Sequence, residues 1–217
     1  LSSAGRAPGL AVVLVGDDTA SQVYVRSKDK AATVAGFEVQ TRKLSAAATQ
    51  AEVLAIVAEL NADDAVDGIL VQLPLPKGLD SDAVVETIDP AKDVDGLTAT
   101  NVARLAQSRP GLRPSTPAGG VAVLDAAAVG VTPLVMGYWA RPGAVVVDVG
   151  TNRGDDGKLV GDVDFDGAAA NAAAITPVPG GVGPMTIAML LSNTLRASAE
   201  RQGLVETVEG ALQQCHA

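Results

Sequence analysis

The chain has 217 residues, 25 acidic against 16 basic side chains, a net charge of −9, one cysteine and one histidine. That length and a 47% hydrophobic content exclude a disordered tail, and the single cysteine excludes a disulfide framework or a cysteine zinc site. The single histidine, His216 beside the C-terminus, argues against serine–histidine triads and two-histidine metal sites, and the acid excess argues against a nucleic-acid surface. Aromatic residues are only 2% of the chain, so the core is expected to be Ala, Val, Leu and Ile.

The run Gly9–Gly16 is continuously apolar, the pattern of a strand covered on both faces. Ser21 to Ala35 reads as the helix after it, and Phe37–Thr41 alternates as a second strand. Thr49 and Glu52 have the spacing of a capping box, ahead of a helix with Val53, Ile56, Val57 and Leu60 on one face. Asp67–Leu73 is another apolar strand, and Asp80–Thr87 a short helix stopped at Asp89-Pro90. Ala118–Ala128 reads as an alanine-rich helix running directly into Val129–Pro133, a strand end and loop. Gly143–Gly150 is a further apolar strand, and a long helix is expected from Pro184, with Ile187, Leu190, Leu191, Thr194 and Leu195 at helical spacing. Strands alternating with helices predict an α/β fold with a mostly parallel sheet and right-handed crossovers. No apolar run approaches the roughly 18 residues of a membrane span, and no basic-then-apolar leader opens the chain. A soluble protein of a reducing compartment is expected, and the start at Leu1 suggests that a further N-terminal piece precedes it.

Four segments could carry chemistry. Tyr24 and Lys28 are four apart, so their side chains meet on one helical face. A lysine there works as acid or base only if burial and neighbours bring its pKa toward neutrality; on spacing alone it also reads as a solvated lysine with Tyr24 over its stem. Gln72 ends an apolar strand, where open α/β sheets present ligand-binding residues, although a loop backbone would satisfy it equally. In Lys92–Gly96 two aspartates, Asp93 and Asp95, lie two residues apart; a loop carboxylate can accept paired donors from an amino-pyrimidine-type ring, or simply make an Asx-turn. Thr176–Pro184 holds three prolines and three glycines, a defined loop that can approach a ligand closely or serve as a rigid connector.

Together these stretches resemble the bifunctional methylene-tetrahydrofolate dehydrogenase/cyclohydrolase family. The matching segments are VGDDTASQVYVRSK, DGILVQLPLP, KDVDGL, RPSTPAG, GAVVVDVGTNR, GKLVGDVDF and ITPVPGGVGPMT, in family order. The resemblance implies a two-domain α/β protein: a folate-binding catalytic domain over residues 1–117, a Rossmann-like NADP-binding domain over 118–183, and a helix and tail over 184–217 that return to the first domain. It implies oxidation of 5,10-methylene-tetrahydrofolate by hydride transfer to NADP, then hydrolysis of the methenyl product to 10-formyl-tetrahydrofolate. Lys28 would be the general acid/base, Tyr24 would stack on the folate, Gln72 would hold Lys28 in its useful protonation state, and Asp95 would bind the pterin edge. Val71, Leu73 and the loop Pro179, Gly180, Gly181, Val182, Gly183 would line the folate cleft, with Thr151 near the nicotinamide. A cytoplasmic homodimer needing no metal is implied as well.

The chain departs from the family in two places. Ser115 stands where the family usually has cysteine. More importantly, the helix through Leu124-Asp125-Ala126 joins Val129-Gly130-Val131 without the family's strand, G-R-S-x-x-V-G-x-P phosphate-binding turn, helix and strand. Removing these from the middle of a parallel sheet would unpair the flanking strands, so the intact protein is expected to carry them, with the numbering run together across a gap. If the shortening is real, a cyclohydrolase-only or folate-binding protein is the alternative.

Overall fold

The computed structural model describes residues 5–126, 142–153 and 157–206. The backbone divides into two units, one running to Pro114 and resuming at Leu190, the other spanning Ser115–Met189. The expected strand end at Val129–Pro133 lies outside the described residues. The numbering is continuous over all 217 residues.

The first unit is built on a parallel sheet of β1 (Gly9–Val15), β2 (Glu38–Leu44) and β3 (Gly68–Val71) in the order β2-β1-β3. Every residue of β1 is buried, because alternate side chains enter two separate cores. Ala11, Val13 and Val15 face one with Val53, Val57 and Leu60 of α2 (Gln50–Ala62), while Leu10, Val12 and Leu14 face the other with Val25 and Ala32 of α1 (Thr19–Val34). A strand covered on both faces has no polar side to show, which is why its sequence reads as an unbroken apolar run. Strand β2 lies at the edge and alternates between exposed and half-buried positions. It continues three residues past the expected Thr41.

Side chains cap the helix starts. Asp18 caps α1 by accepting from Ser21 N at 2.7 Å. Thr49 and Glu52 exchange both bonds of the capping box, and Asp80 caps α3 (Ser81–Thr87). The helix α4 (Ala99–Ala106) follows, capped by Thr98.

The second unit carries α5 (Ser115–Ala126), a short parallel pair β4 (Val145–Val146) and β7 (Ala174–Ile175), an antiparallel pair β5 (Asn152–Arg153) and β6 (Leu159–Val160), and α6 (Phe165–Ala169). The run Gly143–Gly150 thus forms a much shorter ladder than its apolar character suggests. Beyond Val146 the chain leaves the ladder, and Asp148 accepts from Gly150 N, Asp162 N and Val163 N. That carboxylate fastens the end of β4 to the β5–β6 hairpin.

The last helix, α7 (Val182–Gln202), begins in the second unit and belongs to the first from Leu190 onward. It opens two residues before Pro184. The proline therefore sits in the first turn, where its missing N–H is not needed. Leu190 and Ala197 complete the core that Leu10, Val12 and Leu70 form. At the far end Arg201 and Arg6 both reach the buried carboxylate of Asp67, just before β3.

Candidate active site

Helix α1 turns Ser21, Val25 and Ala32 inward. Lys28 falls on that same stripe, where helix geometry asks for an apolar side chain. Its stem is drawn into the protein, and Nζ reaches the end of β3, donating to Gln72 Oε1 at 3.1 Å. Gln72 Nε2 donates to the Leu73 carbonyl at 2.6 Å, which leaves Oε1 turned to the lysine. Burial holds the Lys28 pKa below the ordinary lysine value; the nearby charges of Asp95 and Asp29 oppose the shift without cancelling it. An amine in this setting exchanges its proton closer to neutral pH than a surface lysine does.

Tyr24 lies one helical turn before Lys28 and is 44% exposed. An accessible aromatic face one turn from the lysine suits it to cover a flat ring. Val71 and Leu73 flank Gln72 in different surroundings. Val71 is buried in the core beside Ile69, and Leu73 packs partly buried against the same cluster.

The two aspartates of the 92–96 turn separate cleanly. Asp93 is buried and accepts from Leu97 N, Thr98 N, Thr98 Oγ1 and Asn101 Nδ2, so its carboxylate is consumed in building the turn. Asp95 is half-buried on the same turn and lies close enough to Lys28 to act on its charge. Lys28, Gln72 and Asp95 are therefore gathered by α1, β3 and the turn after α3, with Tyr24 one helical turn from the lysine. These elements all come from the first unit.

Thr151, Pro179, Gly180, Gly181, Val182 and Gly183 belong to the second unit. Thr151 is exposed, just past the Asp148 junction. The glycine loop runs from β7 into the N-terminus of α7. Gly180 has φ +104°, and a Cβ on Gly181 would meet the Pro177 carbonyl at 2.5 Å, so both positions require glycine. Thr151, expected near the nicotinamide, is the group of this unit that could meet a nucleotide cofactor. Among the described residues no group of His, Cys, Asp and Glu is arranged to hold a metal ion, and no helix is long and apolar enough to cross a membrane.

Three residues outside the expected set support the site. Lys92 is fully buried, with Nζ donating to the carbonyls of Leu60, Asn61 and Asp63 at the end of α2. Asn193 on α7 donates to the Val94 and Arg113 carbonyls. Asp148 organises the approach to Thr151. The readable signal for Asn193 is its place between Leu190 and Thr194 on the inner stripe of an apolar helix, since a buried amide must find partners.

Residues 1–95 match the family described as tetrahydrofolate dehydrogenase/cyclohydrolase, catalytic domain, and residues 120–202 match its NAD(P)-binding domain. The bifunctional protein FolD of Acidiphilium cryptum is 49% identical over 251 aligned positions, covering 90% of this chain and 90% of that protein. The FolD of Sphingopyxis alaskensis is 46% identical, covering 94% and 88%. In structure the chain is similar to the bifunctional enzyme FolD of Campylobacter jejuni, with TM-score 0.85, 38% identity and coverage of 92% and 91%. It is also similar to the Trypanosoma brucei methylenetetrahydrofolate dehydrogenase-cyclohydrolase solved with NADP and an inhibitor, with TM-score 0.82, 34% identity and coverage of 89% and 87%. The Acidiphilium alignment runs over more positions than the 217 residues of this chain, so that relative carries aligned residues this chain does not. With both domains of the family matched in order and relatives nearly half identical across nine-tenths of its length, the chain belongs to the tetrahydrofolate dehydrogenase/cyclohydrolase family.

Proposed function

We propose that this chain oxidises 5,10-methylene-tetrahydrofolate to the 5,10-methenyl form with NADP, and then hydrolyses the methenyl product to 10-formyl-tetrahydrofolate. The observation that carries the reading is Lys28, drawn into the core stripe of α1, held by Gln72 and lowered in pKa by burial.

Hydrolysis needs a group that first takes a proton and then gives one back. As water attacks the methenyl carbon, the neutral amine of Lys28 accepts a water proton and a carbinol forms. The carbinol then loses its O–H proton to solvent as the C=O bond forms. The bond from that carbon to N5 breaks, and the Lys28 ammonium protonates N5. A positively charged methenyl substrate further favours the neutral amine, because like charges repel at short range. Gln72 fixes where the nitrogen sits, Tyr24 covers the ring face, and the Asp95 carboxylate accepts paired N–H donors from the amino-pyrimidine edge. NADP, when bound, supplies a nicotinamide ring that accepts the hydride; Thr151 would hold that end. The family resemblance further supports a cytoplasmic homodimer, with the folate domain over residues 1–117 and the cofactor domain over 118–183.

Replacing Asp95 with alanine removes the paired acceptor while leaving Asp93, which builds the turn, untouched. The KM for the methenyl substrate should rise by about 10- to 100-fold, the weight of one or two charge-assisted bonds. An unchanged KM in steady-state hydrolysis assays would remove Asp95 from the site.

A second reading, hydrolysis without dehydrogenation, is favoured by one observation: the sequence lacks the family's phosphate-binding turn between Ala126 and Val129. Fluorescence titration with NADP separates the two. Saturable binding at micromolar cofactor supports the bifunctional reading, whereas a flat titration beside intact methenyl hydrolysis supports the second.

A further inference from the structure

The carboxylate of Asp95 is held in place by a residue nearly a hundred positions away. Asn193 is 3% exposed on α7, and its Nδ2 donates to the Val94 and Arg113 carbonyls, both at 2.8 Å. An amide nitrogen carries two hydrogens, so both are used. The Val94 carbonyl belongs to the rigid peptide plane that leads into Asp95, and a bond to it sets the direction in which the Asp95 Cα departs.

The residue after Asp95 is fixed against the same partner. Gly96 has φ +67°, and a Cβ on it would meet Arg113 C at 2.5 Å and Pro114 N at 2.6 Å. Its backbone is thus pressed on the Arg113–Pro114 peptide, whose carbonyl Asn193 also holds. Behind the turn, a Cβ on Gly68 would meet Val94 Cγ1 at 2.5 Å and Thr194 Oγ1 at 3.1 Å, so Val94 has no room to slide along β3. Asp95 is therefore flanked by two chain segments that one buried amide ties together, from a helix face that also buries Leu190, Thr194 and Ala197.

We propose that Asn193 is a positioning residue for the reaction: by tying the Val94 and Arg113 carbonyls it sets where the Asp95 carboxylate meets substrate and faces Lys28. The inference rests on the reading of Asp95 as the substrate-edge acceptor. Asparagine suits the position because it offers two donors on a short planar arm. Aspartate would set a carboxylate against two carbonyl oxygens, and leucine would leave both carbonyls without this donor.

The test is a double-mutant cycle on methenyl hydrolysis in the full chain, with Asn193→Ala, Asp95→Ala and the pair. Asn193→Ala should raise KM by roughly 5- to 20-fold with kcat within about threefold, and in the Asp95→Ala background the same change should raise KM by less than about threefold more. The pH–rate limb supplies a readout that looser packing alone would not move. Asp95 and Asp29 are the charges that hold the Lys28 pKa up against burial, so a drifting Asp95 should shift the limb to lower pH, as Asp95→Ala does. If Asn193→Ala does not fold, Asn193→Ser is read in the same way, because it keeps a small polar group in the helix. Independent, fully multiplicative KM effects with an unmoved limb would overturn the positioning role while leaving Asp95 in the site. An unchanged KM in Asp95→Ala alone would overturn the assignment of Asp95, and the proposal with it.

Discussion

Replacing Lys28 with methionine is expected to reduce methenyl hydrolysis by roughly 10²- to 10⁴-fold, the usual weight of a positioned general acid/base. It is also expected to make the protein more stable. The folded chain disfavours the ammonium of Lys28, since burial lowers its pKa. Below the folded-state pKa the lysine is charged in both states, and this cost is present in full. As pH rises from the lowered value to the ordinary lysine value, the unfolded chain holds the extra proton, stability rises, and the cost is relieved. Methionine fills a similar volume without the charge. The variant should therefore gain about 1 kcal/mol, or roughly 2–4 °C in Tm, with the gain largest at neutral pH and shrinking in alkaline buffer. Thermal melts at neutral and alkaline pH, run beside the activity assay, read both effects. A variant that hydrolyses at the parental rate would end the assignment. One that melts several degrees lower would show that Lys28 holds the fold together.

How much of this was legible depends on what each residue has to satisfy. The alternation of Leu10, Val12 and Leu14 with Ala11, Val13 and Val15 needs only a strand covered on both faces, and a continuous apolar run says that directly. Thr49 and Glu52 need only each other, so the capping box was equally plain. The pair Asp93 and Asp95 is different. Their spacing puts two carboxylates on one turn, but which is structural depends on Thr98 and Asn101, whose side chains reach back to Asp93. Tyr24 and Lys28 were legible as a pair. That Lys28 is half-buried was legible only from its place on the 21–25–28–32 stripe, a periodicity that reading the pair by itself passes over. Asn193 and Lys92 went unread because their partners are backbone carbonyls, which no side-chain pattern encodes. The second unit was harder throughout. The ladder of β4 is two residues long, and past it Asp148 bonds to a hairpin more than ten residues away.

Lys92 completes the comparison, because the same substitution should have the opposite effect there. Its side chain is fully buried, and Nζ donates at 3.1, 2.7 and 2.8 Å to the carbonyls of Leu60, Asn61 and Asp63. These lie at the C-terminal end of α2, where backbone carbonyls lack helical partners and carry the negative end of the helix dipole. Burial still lowers the Lys92 pKa, and Arg201 lowers it further. The difference from Lys28 lies in what is left behind. Methionine at position 28 leaves Gln72 beside half-open space, where water can replace the lost donor. Methionine at position 92 strips three carbonyls of the charged donor they share at a fully buried side chain. Lys92→Met should therefore cost about 3 kcal/mol, in the range for removing one side of a buried charged interaction. In urea unfolding the midpoint should fall while the slope stays unchanged, which marks a loss of stability without a change in the surface exposed. Lys92 also accepts Ile69 N at its own carbonyl and begins the turn that carries Asp95. The variant, though folded, should consequently bind folate more weakly at temperatures well below its melt. A urea midpoint equal to the parent's would mean that the α2 carbonyls find other donors, and that the buried lysine contributes nothing the helix end requires.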